Sequence, residues 1–182
     1  MKEIHPFEPF IDNESKVLIL GSFPSFASFE NGFYYGHLQN QFWKIIAAVF
    51  KQKVPDTLEE KKEFLKRHHI ALWDMVKGCK RENSLDSSLS SIEVNDIEKI
   101  LETYPNIQAI FFTGRKSQQL FEKHFSFLNI PRYYLPSPSP AYRAMSLEEK
   151  VQKWKKILDY IDEAASANKK KSAIVTSGKK TG

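Results

Sequence analysis

VLILGSFPSFASFENGFYYGHLQNQFWK, residues 17–44, changes character twice within its length. Val17-Leu18-Ile19-Leu20 is a short, partly β-branched apolar run that stops at Gly21, the pattern of a buried strand running into a loop. Pro24 lacks an N–H, and Gly32 and Gly36 permit unusual dihedrals, so the loop can turn tightly. It nevertheless carries Phe23, Phe26, Phe29, Phe33, Tyr34 and Tyr35, six aromatics in thirteen residues, which a solvated loop does not need. Aromatics gathered beyond the carboxyl end of a buried strand suggest a pocket for a flat ligand, since open α/β sheets bind ligands there. Phe42, Trp43, Ile45, Ile46, Val49 and Phe50 then recur at helical spacing, which predicts a helix from about Asn40 to Lys51.

The rest of the chain repeats this alternation. Residues 1–15, with Pro6 and Pro9, read as an irregular arm. Pro55 breaks the chain, and Thr57-Leu58-Glu59-Glu60 opens a second helix with a threonine cap and early acids; Lys66, Arg67, His68 and His69 lie at its end. Ile70–Asp74 is a second short apolar run. The polar segment Lys77–Ser91, with Arg81 and five serines, is long for a connection and therefore functional or mobile. Asn95 is the expected cap of a helix that ends before Pro105. Ile107–Phe112 gives a third strand, residues 115–124 a helix, and Arg132–Leu135 a fourth strand. Ser146-Leu147-Glu148-Glu149 has the capping-box pattern and starts a last helix, expected to reach Ala165. The expectation is an α/β fold, a three-layer α/β/α sandwich around a central, mainly parallel four-stranded sheet. Residues 1–165 would form a single domain, followed by a disordered, lysine-rich tail at 166–182.

At 182 residues and 21.1 kDa, with 41% hydrophobic and 13% aromatic content, the chain is large enough to bury a substantial core. No run approaches a membrane span and the first ten residues lack a signal peptide's apolar centre, so a soluble cytoplasmic protein without membrane contact is expected. Cys79 is the only cysteine, which excludes an internal disulfide and a four-thiolate metal or iron–sulfur site. Five scattered histidines with no HExxH spacing argue against a catalytic metal, and no cofactor is expected. The net charge is +5 and the pI about 9.1, but Lys169, Lys170, Lys171, Lys179 and Lys180 in the tail equal the whole excess. Affinity for a polyanion must come from local placement of Lys and Arg. Lys116, Arg132 and Arg143 flank predicted strand ends and are candidates for it; Arg81 is a weaker one.

Gly21-Ser22-Phe23-Pro24-Ser25, then Tyr35-Gly36-His37 and Asn40-Gln41-Phe42-Trp43, resembles the uracil-DNA glycosylase superfamily, and most closely its hypoxanthine-DNA glycosylase branch. Leu135-Pro136-Ser137-Pro138-Ser139-Pro140-Ala141 is similar to the proline–serine loop that the superfamily carries late in the chain. Each motif follows a predicted strand and they come in the right order. The resemblance covers roughly residues 15–160.

It implies a monomeric enzyme that acts on DNA containing a deaminated base, swings the nucleotide out and cleaves its N-glycosidic bond. The base-binding pocket would comprise Gly21, Ser22, Phe23, Pro24, Tyr35 and His37. Tyr35 matches the position of a stacking ring, whereas His37 is equally readable as a solvent-facing loop residue. Where many relatives have a catalytic Asp or Asn in the first motif, this chain has Phe23, which can neither activate nor hold water. The resemblance transfers that role to Asn40, whose amide would orient water through its carbonyl oxygen. From the residues alone Asn40 reads as a helix cap, and the two roles are compatible. Leu135 stands where uracil-specific enzymes have a histidine. Ser137, Pro138 and Ser139 would pin phosphates, and Tyr142 or Arg143 is left to fill the gap vacated by the flipped base.

No lysine lies within either motif, so a monofunctional glycosylase that releases hypoxanthine is expected. Three rivals stand beside it: uracil or mismatch specificity, a non-catalytic DNA-binding module on the same fold, and a serine hydrolase using Ser22 or Ser25. The last lacks G-x-S-x-G.

Overall fold

A computed structural model describes residues 2–24, 32–36 and 39–161. Its centre is a four-stranded, wholly parallel sheet of β2 (Val17–Gly21), β3 (Ile70–Asp74), β6 (Ala109–Phe112) and β7 (Arg132–Tyr134), in the order β3-β2-β6-β7. Every residue of β2 is buried, which explains why its sequence is continuously apolar: it has a strand on each side and helices on each face.

The helices divide between the faces by the alternation of the strands. Val17, Ile19, Ile70, Leu72, Ala109 and Phe111 point to a core shared with α1 (Phe42–Val49), α2 (Leu58–Arg67), α5 (Leu147–Trp154) and α6 (Leu158–Ile161). Leu18, Leu20, Ala71, Ile110 and Phe112 point to the other core, with α3 (Ile97–Thr103) and α4 (Arg115–Phe125). The three-layer α/β/α expectation holds. So do the threonine cap and the Ser146 capping box, and the Thr57 cap is a box as well. Thr57 Oγ1 accepts from Glu60 N–H at 3.0 Å, and Ser146 Oγ from Glu149 N–H at 3.1 Å, each returned by the glutamate carboxylate.

Several expectations need correction. The polar segment after Asp74 is not a plain connection: β4 (Val76–Lys80) and β5 (Ser90–Val94) pair antiparallel, and the supposedly irregular arm supplies β1 (Glu3–Ile4) to make a second sheet, β1-β4-β5. Val76, Cys79, Ile92 and Val94 from this sheet join the α3–α4 core, and burial pushes the Cys79 thiol up, as fits a packing role. The cap of α3 is Asp96, whose carboxylate accepts from Lys99 N–H at 3.1 Å. Asn95 is buried instead and donates its amide to the Asp74 carbonyl at 2.8 Å. The last helix is interrupted by a 3₁₀ turn at Lys155–Ile157. Residues 162–182, hence the lysine-rich tail, lie outside the described residues.

Strand order creates the site. From β2 the chain moves through α1 and α2 to β3 on one side, then crosses to β6 on the other, so the loops after β2 and β6 part toward opposite faces. The crevice that this leaves at the carboxyl edge is the usual ligand position in open α/β sheets.

Candidate active site

A cleft of about 500 Å³ occupies that crevice. Gly21 is at its floor, where the ends of three strands converge. A Cβ at Gly21 would lie 2.6 Å from Asp74 Oδ1, 3.2 Å from the Tyr35 hydroxyl and 3.4 Å from Thr113 Oγ1, so only glycine fits. Asp74, the last residue of β3, is buried and bonded by His5 Nε2 at 2.8 Å; its Oδ1 packs under Gly21.

Ser22, Phe23 and Pro24 continue along the cleft wall. The loop is fixed from outside by Arg81, which donates to the Pro24 carbonyl at 2.5 Å, pairs with Glu3 at 3.0 Å and lies 5.0 Å from the centre of the Phe23 ring. With its side chain only 1% exposed, Arg81 is a structural clamp rather than a surface contact for a polyanion. Tyr35 adopts φ 57°, stacks on Phe42 at 4.1 Å between ring centres, and shares a hydrogen bond of 3.2 Å with Thr113 Oγ1. Burial, with Asp74 and Asp86 nearby, pushes its phenol far above the usual range, so Tyr35 is a neutral ring backed by a second ring. His37 lies outside the described residues, as do Ser25, Phe26 and Phe29.

Asn40 lines the cleft immediately before α1. The N-cap of α1 is Gln41, so Asn40 steadies the helix start from one residue before the cap and is not the cap that the sequence suggested. Asn40 Oδ1 accepts from Phe42 N–H at 2.9 Å. An amide oxygen has two lone pairs, so this bond leaves one acceptor site. Opposite, Ser137, Pro138, Ser139 and Tyr142 line the cleft from the second loop. Ser137 Oγ accepts from Ser139 N–H and Ser139 Oγ from Ala141 N–H, each at 3.1 Å, which sets the turn and leaves both hydroxyls able to donate. Arg143 is exposed and is not part of the cleft lining. Leu135 is 1% exposed in the α1–α5 core, so the position that carries a histidine in uracil-specific relatives here faces protein. Arg132, at the amino end of β7, forks onto Glu122 at 2.7 and 3.1 Å and is bound up away from the cleft.

Two links join the loops. Gln41 N–H donates to the Pro138 carbonyl at 2.9 Å, and Lys150 of α5, 1% exposed, donates to Gln41 Oε1 at 2.7 Å and the Ser139 carbonyl at 3.4 Å. Burial lowers the Lys150 ammonium from its ordinary value. Sequence reasoning missed Lys150, which has no motif around it. It also missed Asp74 and Asp86. An acid closing an apolar strand run was a signal for Asp74; the length of the serine-rich segment was a coarse signal for Asp86, which hydrogen-bonds Ser22 Oγ from the 3₁₀ turn Asp86–Ser88. Ser84 and Leu85 just before that turn, and Ser87 within it, also line the cleft. Among the described residues no group of acids, histidines and cysteine is arranged to hold a metal, and no helix is long and apolar enough to cross a membrane.

Residues 8–162 match the family model of the uracil DNA glycosylase superfamily. A hypoxanthine DNA glycosylase of Methanosarcina acetivorans is 36% identical over 141 residues, 77% of this chain and 89% of that protein. One from Methanosarcina barkeri is 35% identical over 112 residues, 61% of this chain and 71% of that protein. Among solved structures, a solution NMR structure from Methanosarcina acetivorans, named as a candidate uracil DNA glycosylase, superimposes with a TM-score of 0.73 at 31% identity, covering 86% of this chain and 99% of that one.

Proposed function

The chain belongs to the uracil DNA glycosylase superfamily, and on that premise we propose that it releases hypoxanthine from deoxyinosine in DNA, as the first step of base excision repair. It is a DNA glycosylase, and it hydrolyses the N-glycosidic bond of a deaminated nucleotide swung out of the duplex. The observation that carries this reading is the meeting, in one cleft, of the loop after β2, Asn40 and the proline–serine loop.

The flipped base rests against Tyr35, which Phe42 supports from behind. Bond cleavage leaves positive charge on the sugar and negative charge on the departing base. Backbone N–H groups around Ser22 and Phe23 stabilise the departing base. Asn40 holds the attacking water on the lone pair that its bond to Phe42 N–H leaves open, supplying orientation rather than basicity. Ser137 and Ser139 donate their hydroxyls to phosphates beside the lesion, with Tyr142 at the mouth to occupy the vacated stack. DNA is the partner, the enzyme acts as a monomer inside the cell, and residues 1–165 suffice for activity.

The test is alkali-induced strand cleavage of labelled duplexes carrying one deoxyinosine, deoxyuridine or deoxyxanthosine, since alkali cuts at abasic sites. Cleavage is expected to be strongest at deoxyinosine. Strongest cleavage at deoxyuridine moves the chain to a uracil-specific activity. No release from any of the three, with DNA binding intact, replaces the enzyme reading with a non-catalytic module.

A further inference from the structure

Deamination leaves a chemical mark beyond the exchanged exocyclic group. When adenine becomes hypoxanthine, ring N1 gains a hydrogen and changes from acceptor to donor; cytosine becoming uracil does the same at N3. A fixed acceptor facing that ring N–H sorts deaminated bases from their parents. Against adenine or cytosine it meets a lone pair, and a desolvated acceptor left unpaired is costly.

Two carboxylates line the cleft, and they differ in what they have left to offer. Asp74 is engaged: His5 Nε2 holds Oδ2 at 2.8 Å, and Oδ1 is packed under the Gly21 backbone. Asp86 enters on the Asp86–Ser88 turn. Its Oδ1 accepts from Ser22 Oγ, which fixes the carboxylate plane. Among the described residues no hydrogen bond reaches Oδ2. That oxygen lies on the β6–α4 side, 3.9 Å from where a Cβ would stand on Gly114. The carboxylate is therefore oriented on one oxygen and available on the other, the arrangement of a reading group rather than a structural one.

We propose that Asp86, held by Ser22, is the specificity-determining acceptor that takes the ring N–H of the flipped, deaminated base. This rests on the glycosylase reading of the cleft. It explains how adenine is refused without a steric gate, because hypoxanthine and adenine have nearly the same shape. It leaves guanine, which also carries N1–H, to be sorted by other contacts. The electrostatics agree. Desolvation raises the Asp86 pKa, Asp74 raises it further, and Ser22 and Lys116 oppose the rise; Tyr35 beside them is a neutral phenol. An ionised carboxylate in that setting gains from an incoming N–H donor more than a solvated one does.

The experiment compares wild type, Asp86→Asn and Asp86→Ala on duplexes with deoxyinosine or deoxyadenosine at one position. Single-turnover base release is measured, together with affinity for the same duplexes carrying a 2′-fluorine that blocks cleavage. Loss of one charge-assisted hydrogen bond corresponds to a fall of roughly tenfold or more in deoxyinosine release for Asp86→Ala. Asp86→Asn can turn its amide N–H toward adenine N1, so its preference for inosine over adenosine, in affinity or release, is expected to drop further than its deoxyinosine rate. Ser22→Ala, which frees the carboxylate, is expected to fall between wild type and Asp86→Ala. A wild-type inosine-to-adenosine preference in both Asp86 variants overturns the inference while leaving the glycosylase intact. Failure of the wild type itself to release hypoxanthine removes the reading on which it rests.

Discussion

The proposed water-holding role and the bond to Phe42 N–H fall on the same Asn40 amide, and side chains that keep only one of them separate the two. Asn40→Ala loses the bond to Phe42 N–H and is expected to cost about 1 kcal/mol of stability, read from thermal or urea melts. Asn40→Ser retains a short acceptor for that N–H, so its melting temperature stays near that of wild type. Both variants are expected to lose roughly a hundredfold or more in single-turnover release, the scale of a lost positioning contact, with DNA affinity largely retained. An Asn40→Ser enzyme as fast as wild type removes the water-holding assignment. At Gly21, adding a methyl group forces Asp74 off its bond with His5, and Gly21→Ala is expected to cost about 1–3 kcal/mol and to damage the cleft, measurable by melting and by base release. Asp86 links function to stability through pH. Its folded-state pKa lies above the ordinary aspartate value, so the folded form binds the proton more tightly, and the associated stability is present in acid and lost as pH rises through the folded pKa. Asp86→Asn removes that loss. Relative to wild type, the variant is expected to gain in melting temperature at neutral pH and to lose that gain near pH 4; equal differences at both pH values contradict it.

At the scale of elements, the cleft depends on α5 holding the start of α1 against the second loop. Lys150 does this with a buried ammonium that bonds Gln41 Oε1 and the Ser139 carbonyl and, among the described residues, pairs with no carboxylate. Lys150→Met removes a buried charge, so stability is expected to stay level or rise, while the loosened loops lower kcat for deoxyinosine more than they change KM. A melting temperature that falls together with activity assigns Lys150 to stability alone. Elements whose signals are local were legible in the sequence: the continuous apolar β2, the threonine cap at Thr57, the capping box at Ser146, and both motif loops at strand ends. The β1-β4-β5 sheet was not, because β1 has two residues and its partner β4 exposes Lys77 and Lys80, three residues apart with Gly78 between, which breaks the strand alternation. The same limit hid the polar parts of the site. Ser22 meets Asp86 across 64 residues and Gln41 meets Lys150 across 109, distances at which periodicity and spacing say nothing about contact. The cap of α3 was misplaced by one residue because Asn95 and Asp96 are both good caps, and the choice between them was made by the burial of Asn95 against β3.

For the whole molecule, charge governs how DNA is met. The net charge of +5 equals the five lysines of residues 166–182, so removing that segment is expected to weaken DNA binding at low salt, to reduce the salt slope, and to leave single-turnover release at saturating DNA unchanged. A truncated enzyme that is slow at saturation assigns the segment a part in the site. The Arg81 clamp has a further consequence, which concerns the order in which a growing chain is made. Glu3 leaves the ribosome 78 residues ahead of its partner, and Lys150 trails Gln41 by still more. Contacts so widely separated close late, after the loops between them have paid their entropy. A nascent chain halted before α5 would therefore own most of its central sheet but no finished cleft. Competence to excise a base would thus wait on α5, and a polypeptide lacking it would have no finished pocket in which to release one.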